Sequence, residues 1–311
     1  MRCENCGQPL DRVQCATCQH SDAPGLFGIA RRWLPANPIL YVMAIMRSGL
    51  YLGLLLLAIT PILLLDLHIN VVASMMVYFS LFWFFVFQPL LATHIRLAPL
   101  VSDIGAYVFT GVVGTAIAMV VESFWYAHGG SKLLNASSLA VATPAYIAFV
   151  GITEEFWKQI IVLVVVGWQK IRGVVWSPST YMMLGVSSGL GFSAVENISY
   201  VERGIAFEVM RHAFGLGTFT ALTRALYTPF LHAIWAGIAA WGFGWVASHG
   251  FRGWRVGIGL LLLAAMFHGV YDAAIARHPL LAIVDVAISY LVFLSLLLNP
   301  RRRTDRDVVG N

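Results

Sequence analysis

The chain has 311 residues, of which 59% are hydrophobic and only 11% are charged, against roughly 25% charged in an ordinary soluble domain. Its mean hydropathy is +0.77. A water-soluble protein cannot bury this much apolar surface, so the composition excludes a soluble enzyme, a disordered protein and an extended repeat. It predicts an all-α, polytopic protein of the lipid bilayer. The formal charge of +5 is expected to reflect membrane topology, so no nucleic-acid partner is expected.

The four cysteines all lie near the N-terminus, in the pattern C-x2-C-x8-C-x2-C formed by Cys3, Cys6, Cys15 and Cys18. Two thiol pairs at this spacing can close on one Zn²⁺, which predicts a structural zinc-ribbon-like module over residues 1–20. Disulfides or free thiols are the alternatives. Residues 1–36 contain no apolar signal segment, so the module is expected to stay in the reducing cytoplasm, where zinc is favoured over disulfides.

The rest of the chain divides by hydropathy. Residues 21–44 are predicted to form a linker and interfacial segment, residues 45–298 a transmembrane domain, and residues 299–311 a basic cytoplasmic tail. Runs of about twenty residues with few charges predict eight spans. These spans are 45–66, 71–93, 104–122, 139–167, 178–200, 222–247, 256–276 and 279–298. Most Lys and Arg residues then fall on the side of the two termini, which predicts an inner or plasma membrane protein with both termini cytoplasmic.

Ionisable residues within these spans are the candidate functional residues, because charged groups at membrane depth are costly. Helical spacing places Glu154 and Glu155 on one face with Lys158, and places Asp272 one turn after His268. The full set is Glu154, Glu155, Lys158, Glu196, His232, His268 and Asp272. Their convergence in one site is predicted.

Structural roles are the alternative for single members of this set. A glutamate with Lys158 can be a buried ion pair that fixes helix register. His232 alone can be a hydrogen-bonding residue between helices, and Glu196 can extend to the membrane interface. Glu122 and Asp285 are interpreted as polar packing or interface residues. The functional hypothesis therefore depends on the set as a whole.

Four motifs in one order carry a family resemblance. They are Glu154-Glu155-x-x-Lys158, Phe192-x-x-x-Glu196-Asn197, His232 and His268-x-x-x-Asp272. In these motifs the chain resembles the PrsW-type intramembrane proteases, over about residues 70–298. The related CAAX-processing and bacteriocin-immunity (Abi) proteins also use a Glu-Glu pair, but they carry Arg one residue later and His in place of Glu196. The cysteine module lies outside the shared core.

The resemblance implies an intramembrane peptidase that hydrolyses a membrane-anchored protein substrate. Similar proteins cleave anti-sigma factors, so a single-span protein of that kind is the expected type of substrate. It implies that Glu154 or Glu155 is the general base that activates water, and Glu154 is preferred. No catalytic metal is required in this interpretation. Helix rise then places the site in the outer half of the bilayer, so cleavage is expected near the extracytoplasmic juxtamembrane boundary of the substrate.

The remaining residues receive supporting roles. Glu155 is expected to orient water or bind the substrate backbone, and Asp272 to orient His268. His232 and His268 would stabilise the oxyanion or protonate the leaving amine. Lys158 would keep both glutamates from taking up protons, and Glu196 would lie at the mouth of the site.

Two alternatives from other classes are left open. A zinc-dependent membrane protease could use two glutamates and two histidines as ligands, although no H-E-x-x-H motif is present. A non-catalytic binding scaffold or an ion-coupled transporter could use the glutamates as an ion path. No inverted repeat is apparent in the sequence, which argues against a transporter.

Overall fold

The computed structural model describes residues 70–91, 97–174 and 176–298. The predicted zinc-ribbon-like module, the interfacial segment, the first predicted span (45–66) and the basic tail lie outside the described residues. Within the described ranges the chain is helical almost throughout and contains no β-strand. The prediction of an all-α protein is confirmed for this part of the chain.

The helices are, in chain order, α1 (Val71–Leu91), α2 (Leu97–Phe109), α3 (Thr115–Trp125), α4 (Ser131–Leu134), α5 (Leu139–Tyr146), α6 (Ile152–Arg172), α7 (Pro178–Arg211), α8 (Leu216–Leu226), α9 (Thr228–His249), α10 (Trp254–Ile275) and α11 (Pro279–Leu298). Short π-helical turns join α2 to α3, α3 to α4 and α5 to α6, while a 3-10 turn, Gly250–Gly253, joins α9 to α10. The π-helical turn before α6, Ile147–Gly151, directly precedes the glutamate pair.

Each predicted span from 71 onward coincides with one of these helices or with a continuous pair, but two boundaries differ. Helix α7 continues to Arg211, past the predicted end at 200. The charged residues beyond position 200 remain part of the helix and contact it. For example, Arg203 Nε donates a hydrogen bond to the Ser199 carbonyl of the preceding turn at 3.1 Å. The predicted span 222–247 is divided, since α8 ends at Leu226 and Pro229 lies in the first turn of α9, where a missing N–H is harmless.

Four segments of the described chain are long and apolar enough to cross a membrane. They are Val71–Gln88, Pro99–Leu134, Leu216–Ile275 and Pro279–Leu298. The 60-residue segment among them contains both α9 and α10. Helices α6 and α7, which carry most of the charged residues of the predicted site, are not in this set. The count of eight spans therefore stays a prediction.

Helices α7 and α9 lie at the centre of the bundle, and small residues allow them to approach closely. A Cβ atom on Gly189 of α7 would lie 2.3 Å from the His232 carbonyl oxygen of α9. A Cβ atom on Gly185, one turn earlier, would lie 2.4 Å from the Ala236 carbonyl oxygen. Such contacts are typical of helix pairs in membranes that pack through small residues. The backbone of His232 is therefore pressed directly against α7.

This packing predicts that Gly189→Val destabilises the bundle. The added side chain would force α9 away from α7, and overpacking of this kind costs about 1–3 kcal/mol. Thermal unfolding of the purified protein in detergent should show a clearly lower Tm. The matched control is Gly167→Val on α6, where an added Cβ meets nothing within 4 Å. Equal Tm values for the two variants would contradict the prediction.

Candidate active site

The residues singled out in the sequence converge in the structure. Helix α6 supplies Glu154, Glu155 and Lys158, α7 supplies Glu196, α9 supplies His232, and α10 supplies His268 and Asp272. We call these seven residues the polar cluster. Residue contacts of 2.7–3.8 Å connect all of them. The predicted convergence is present, while the catalytic role of each residue stays a prediction.

The centre of the polar cluster is the ammonium group of Lys158. Its Nζ lies 2.7 Å from Glu155 Oε1 and 3.2 Å from Glu154 Oε2. All three side chains are buried. Removing one partner from a buried pair leaves an uncompensated charge, which is strongly destabilising. Both carboxylates therefore depend on this lysine for their place in the bundle.

Glu154 Oε2 lies close to three other members of the polar cluster. It lies 3.6 Å from His268 Nε2 and 3.8 Å from His232 Nδ1, in addition to the contact with Lys158. Helices α6, α9 and α10 therefore bring one carboxylate oxygen and two imidazole rings to a common point. The i,i+4 spacing of Glu154 and Lys158 indicated the first contact, but it did not indicate the other two.

The ring of His232 has a defined tautomer in this arrangement. Lys158 Nζ lies 2.9 Å from His232 Nδ1, and an ammonium group can only donate. Nδ1 therefore accepts, and in the neutral ring the proton is carried by Nε2. That nitrogen faces Glu196 Oε2 at 3.2 Å. This assignment follows from the surrounding donors and acceptors.

The His268 ring contacts both Glu155 and Asp272, and Glu155 is the closer partner. Its Nδ1 lies 2.9 Å from Glu155 Oε1, whereas its Nε2 lies 3.4 Å from Asp272 Oδ2. Glu155 is fully buried, and its expected role in orienting water or binding the substrate backbone stays a prediction. The indole of Trp235 stacks on the His268 ring with centroids 4.7 Å apart, which further fixes the ring plane.

Exposure rises steadily across the polar cluster. The exposed fractions are 0% for Lys158 and Glu155, 3% for Glu154, 12% for Glu196 and 27% for Asp272. The α6 side of the cluster is therefore closed, and its open edge lies at Asp272 and Glu196.

Arg224 of α8 is a member of the site that the sequence reasoning missed. Its Nη1 lies 3.6 Å from Glu196 Oε2 and donates to Asn197 Oδ1 at 3.2 Å. Its guanidinium lies 3.5 Å from the centroid of the Tyr200 ring. Asn197 also donates to the Arg224 carbonyl at 2.8 Å, so α8 is tied to α7 beside the open edge. The motif residue Asn197 was the available signal for this contact.

Glu122 of α3 is the second residue that was missed. It was interpreted as a packing or interface residue, but its carboxyl group lies beside Glu154 and its Oε1 is buried without a hydrogen-bond partner in the described structure. A single Glu at the end of an apolar span gave no signal of this position. Carboxyl groups therefore outnumber the cationic side chains Lys158 and Arg224 at this site.

The polar cluster contains a donor set that fits a divalent metal. Glu154, His232 and His268 each offer one ligand atom, and these atoms lie within 4.8 Å of one another. One carboxylate and two imidazoles is a ligand set of catalytic zinc sites. Glu155 contacts the other ring nitrogen of His268, and a carboxylate in that position orients a metal-binding histidine. Glu155 Oε2 is also buried without a hydrogen-bond partner in the described part of the chain.

Comparison with known proteins places the chain in a family. Residues 99–298 match the family described as PrsW family intramembrane metalloprotease. The chain belongs to the PrsW family. It is a membrane protease, and the resemblance stated from the four motifs is confirmed. No curated protein and no solved structure matches the chain.

The PrsW assignment also bears on the alternatives. The family match supports an intramembrane peptidase over an ion-coupled transporter or a non-catalytic binding scaffold. The family description as a metalloprotease agrees with the donor set, and it gives no support to the preference for catalysis without a metal. The match begins at residue 99, so the cysteine module is outside the PrsW domain, as the sequence indicated.

The buried ion pairs predict a large effect for Lys158→Met. Both glutamates would lose their cation while remaining buried, which should lower the free energy of unfolding by about 3–5 kcal/mol. Denaturant unfolding in detergent measures this change. The double variant Lys158→Met/Glu155→Gln should recover part of the loss, because one of the uncompensated charges is then absent.

Lys170→Met, at the exposed end of the same helix, is the control and should change stability by less than about 0.5 kcal/mol. If Lys158→Met were as stable as this control, the polar cluster would not depend on the lysine.

Proposed function

We propose that this PrsW-family chain hydrolyses a peptide bond of a membrane-anchored protein at the polar cluster, with water activated beside Glu154. The observation that carries this proposal is the convergence of Glu154 Oε2, His232 and His268 from three helices on one buried point. Buried carboxylates and imidazoles at membrane depth are costly. Their position at the end of a graded opening to water is what hydrolysis requires.

We propose further that the reaction is metal-dependent. Glu154, His232 and His268 would hold the ion, and Zn²⁺ is the metal that prefers such a set. A bound metal supplies Lewis-acid polarisation of a carbonyl and a more acidic water. The excess of carboxyl groups over Lys158 and Arg224 supports this assignment, because buried negative charge is unfavourable without a cation.

The other residues of the polar cluster have supporting roles in this proposal. Glu155 holds the His268 ring through Nδ1, so that Nε2 faces Glu154. Glu196 accepts a hydrogen bond from the proton-bearing Nε2 of His232. Its position near the open edge suits it to take a proton from water. Lys158 balances the charge of Glu155. Asp272, the most exposed carboxylate, lies where the substrate backbone would enter.

Without a metal, Glu154 itself would be the general base, as the sequence analysis preferred. The two forms make different predictions for metal content. They share the requirement for Glu154, so a loss of activity in Glu154→Gln supports the peptidase site but does not separate them. Measuring the metal content of the purified protein separates the two forms.

The deciding experiment removes the cysteines and then tests the helical site. In a full-length variant with Cys3, Cys6, Cys15 and Cys18 replaced by Ser, the metal-dependent form predicts that about one metal per chain remains. Adding Glu154→Gln should abolish both this metal and substrate cleavage. Adding Glu155→Gln should weaken metal binding by about 10–100-fold through the His268 ring. Adding Glu196→Gln should leave the metal and lower the cleavage rate.

Each result has a clear interpretation. A four-Ser variant that is active without metal would refute the metal-dependent form and favour Glu154 as the base. Full cleavage activity in both Glu154→Gln and Glu155→Gln would refute the site itself. Loss of one zinc equivalent on replacing the cysteines supports the structural zinc module.

The position of the cut follows from the proposed topology, with both termini in the cytoplasm. His232 lies one turn after α9 begins, and Asp272 lies one turn before α10 ends. The polar cluster is thus near one end of both helices, and in this topology that end is extracytoplasmic. We therefore propose cleavage near the extracytoplasmic juxtamembrane boundary of a membrane-anchored substrate.

Cysteine labelling tests this topology with two equally accessible positions. Phe214 lies between α7 and α8 and is 90% exposed, while Ile171 near the end of α6 is 86% exposed. In the four-Ser background, Phe214→Cys should react with a membrane-impermeant thiol reagent added outside intact cells. Ile171→Cys should react only after the membrane is opened. The reverse pattern would invert the topology and move the proposed cut to the cytoplasmic side.

A further inference from the structure

A groove lies at the junction of α9 and α10, away from the polar cluster. Its volume is about 790 Å³, and its lining includes Arg252, Trp254, Arg255, Ile258, Gly259 and Leu262. One end of the groove is formed by the 3-10 turn and the first turn of α10. The other end follows an apolar face of α10. The groove therefore combines a cationic end with an apolar stripe.

The cationic end contains two exposed arginines without a described counterion. The side chain of neither Arg252 nor Arg255 forms an ion pair or a hydrogen bond with another residue in the described ranges. They are three positions apart at the start of α10, whose first N–H groups also favour an anion. Trp254, 39% exposed, lies between them in the sequence, and tryptophan is typical of the headgroup level of a membrane.

The apolar stripe continues from Arg255 along one face of the helix. Ile258 and Leu262 follow at intervals of three and four residues, and both are exposed. Gly259 lies between them, and an added Cβ there would meet nothing within 4 Å. The glycine is therefore not required for helix packing in the described structure, and it leaves a depression in the stripe.

We propose that this groove binds an anionic phospholipid, with the phosphate between Arg252 and Arg255 and an acyl chain along Ile258 and Leu262. Two arginines with no partner among the described residues attract the negative charge of such a headgroup, and each basic residue near an anionic membrane surface contributes about 1 kcal/mol. The depression at Gly259 gives the acyl chain a place against the helix. A zwitterionic lipid fits the stripe but not the excess positive charge. This site is independent of the proposed peptidase mechanism.

Native mass spectrometry of the full chain tests the proposal, with phosphatidylglycerol and phosphatidylcholine of identical acyl chains. The wild type should retain one phosphatidylglycerol in preference to phosphatidylcholine. Arg252→Gln and Arg255→Gln should each weaken phosphatidylglycerol binding about five-fold and leave phosphatidylcholine binding unchanged. Gly259→Leu should weaken binding of both lipids, because it fills the depression.

Helix α6 offers a matched control for each change. Arg172 is an exposed arginine at a helix end, with its guanidinium 5.4 Å from the Trp168 ring, and Gly167 also has open space around its Cβ position. Arg172→Gln and Gly167→Leu should therefore leave lipid retention unchanged.

Several results would overturn the proposal. Equal losses in Arg172→Gln and the groove variants would indicate a general effect of surface charge. Displacement of the lipid by inorganic phosphate would indicate a site for free anions. Retention of phosphatidylglycerol unchanged in the Arg252→Gln/Arg255→Gln double variant, or in Gly259→Leu, would show that the lipid lies elsewhere.

Discussion

The buried ammonium group of Lys158 is the interaction on which the polar cluster depends. It lies within 3.2 Å of both glutamates of α6 and 2.9 Å from Nδ1 of His232. One cation thus compensates two carboxylates and fixes the tautomer of an imidazole on another helix. A buried charge without such a partner would be expelled or neutralised. The lysine is therefore what allows a carboxylate pair to persist in an apolar bundle.

Close approach between helices brings the histidines of α9 and α10 to the charged residues of α6. Gly189 brings α7 against the backbone of His232, and at Gly151 an added Cβ would lie 2.3 Å from the Ala265 carbonyl of α10. The second contact lies directly before α6, so α10 is held one turn from Glu154 and Glu155. Without these small residues the helix axes would be farther apart, and His268 would not reach Glu155. Packing between backbones thus sets the distances on which the proposed chemistry would depend.

The sequence could predict what depends on one helix at a time. The i,i+4 spacings of Glu154 with Lys158 and of His268 with Asp272 follow from helix geometry alone, and hydropathy located the helices. Contacts between helices depend on their rotation and relative shift, which single-helix periodicity does not contain. This is why the closer partner of His268 proved to be Glu155, and why Arg224 and Glu122 were missed. The start of α9 was readable at Pro229, but continuous hydropathy across residues 222–247 obscured it.

The exposed fraction of the charged side chains differs between the two sides of the polar cluster, and this difference explains how charged groups persist in an apolar bundle. The groups that need the strongest compensation, Glu155 and Lys158, are fully buried and paired with each other. Asp272 and Arg224 are more exposed, with 27% and 21% of their side chains accessible. In the proposed function, water and a peptide backbone would reach this open edge without passing the buried pair. The low-polarity interior strengthens interactions among fixed charges, which favours a fixed arrangement of donors on the closed side. The proposed hydrolysis within a membrane would require both a fixed charge arrangement and access for water, and opposite sides of one cluster would supply them.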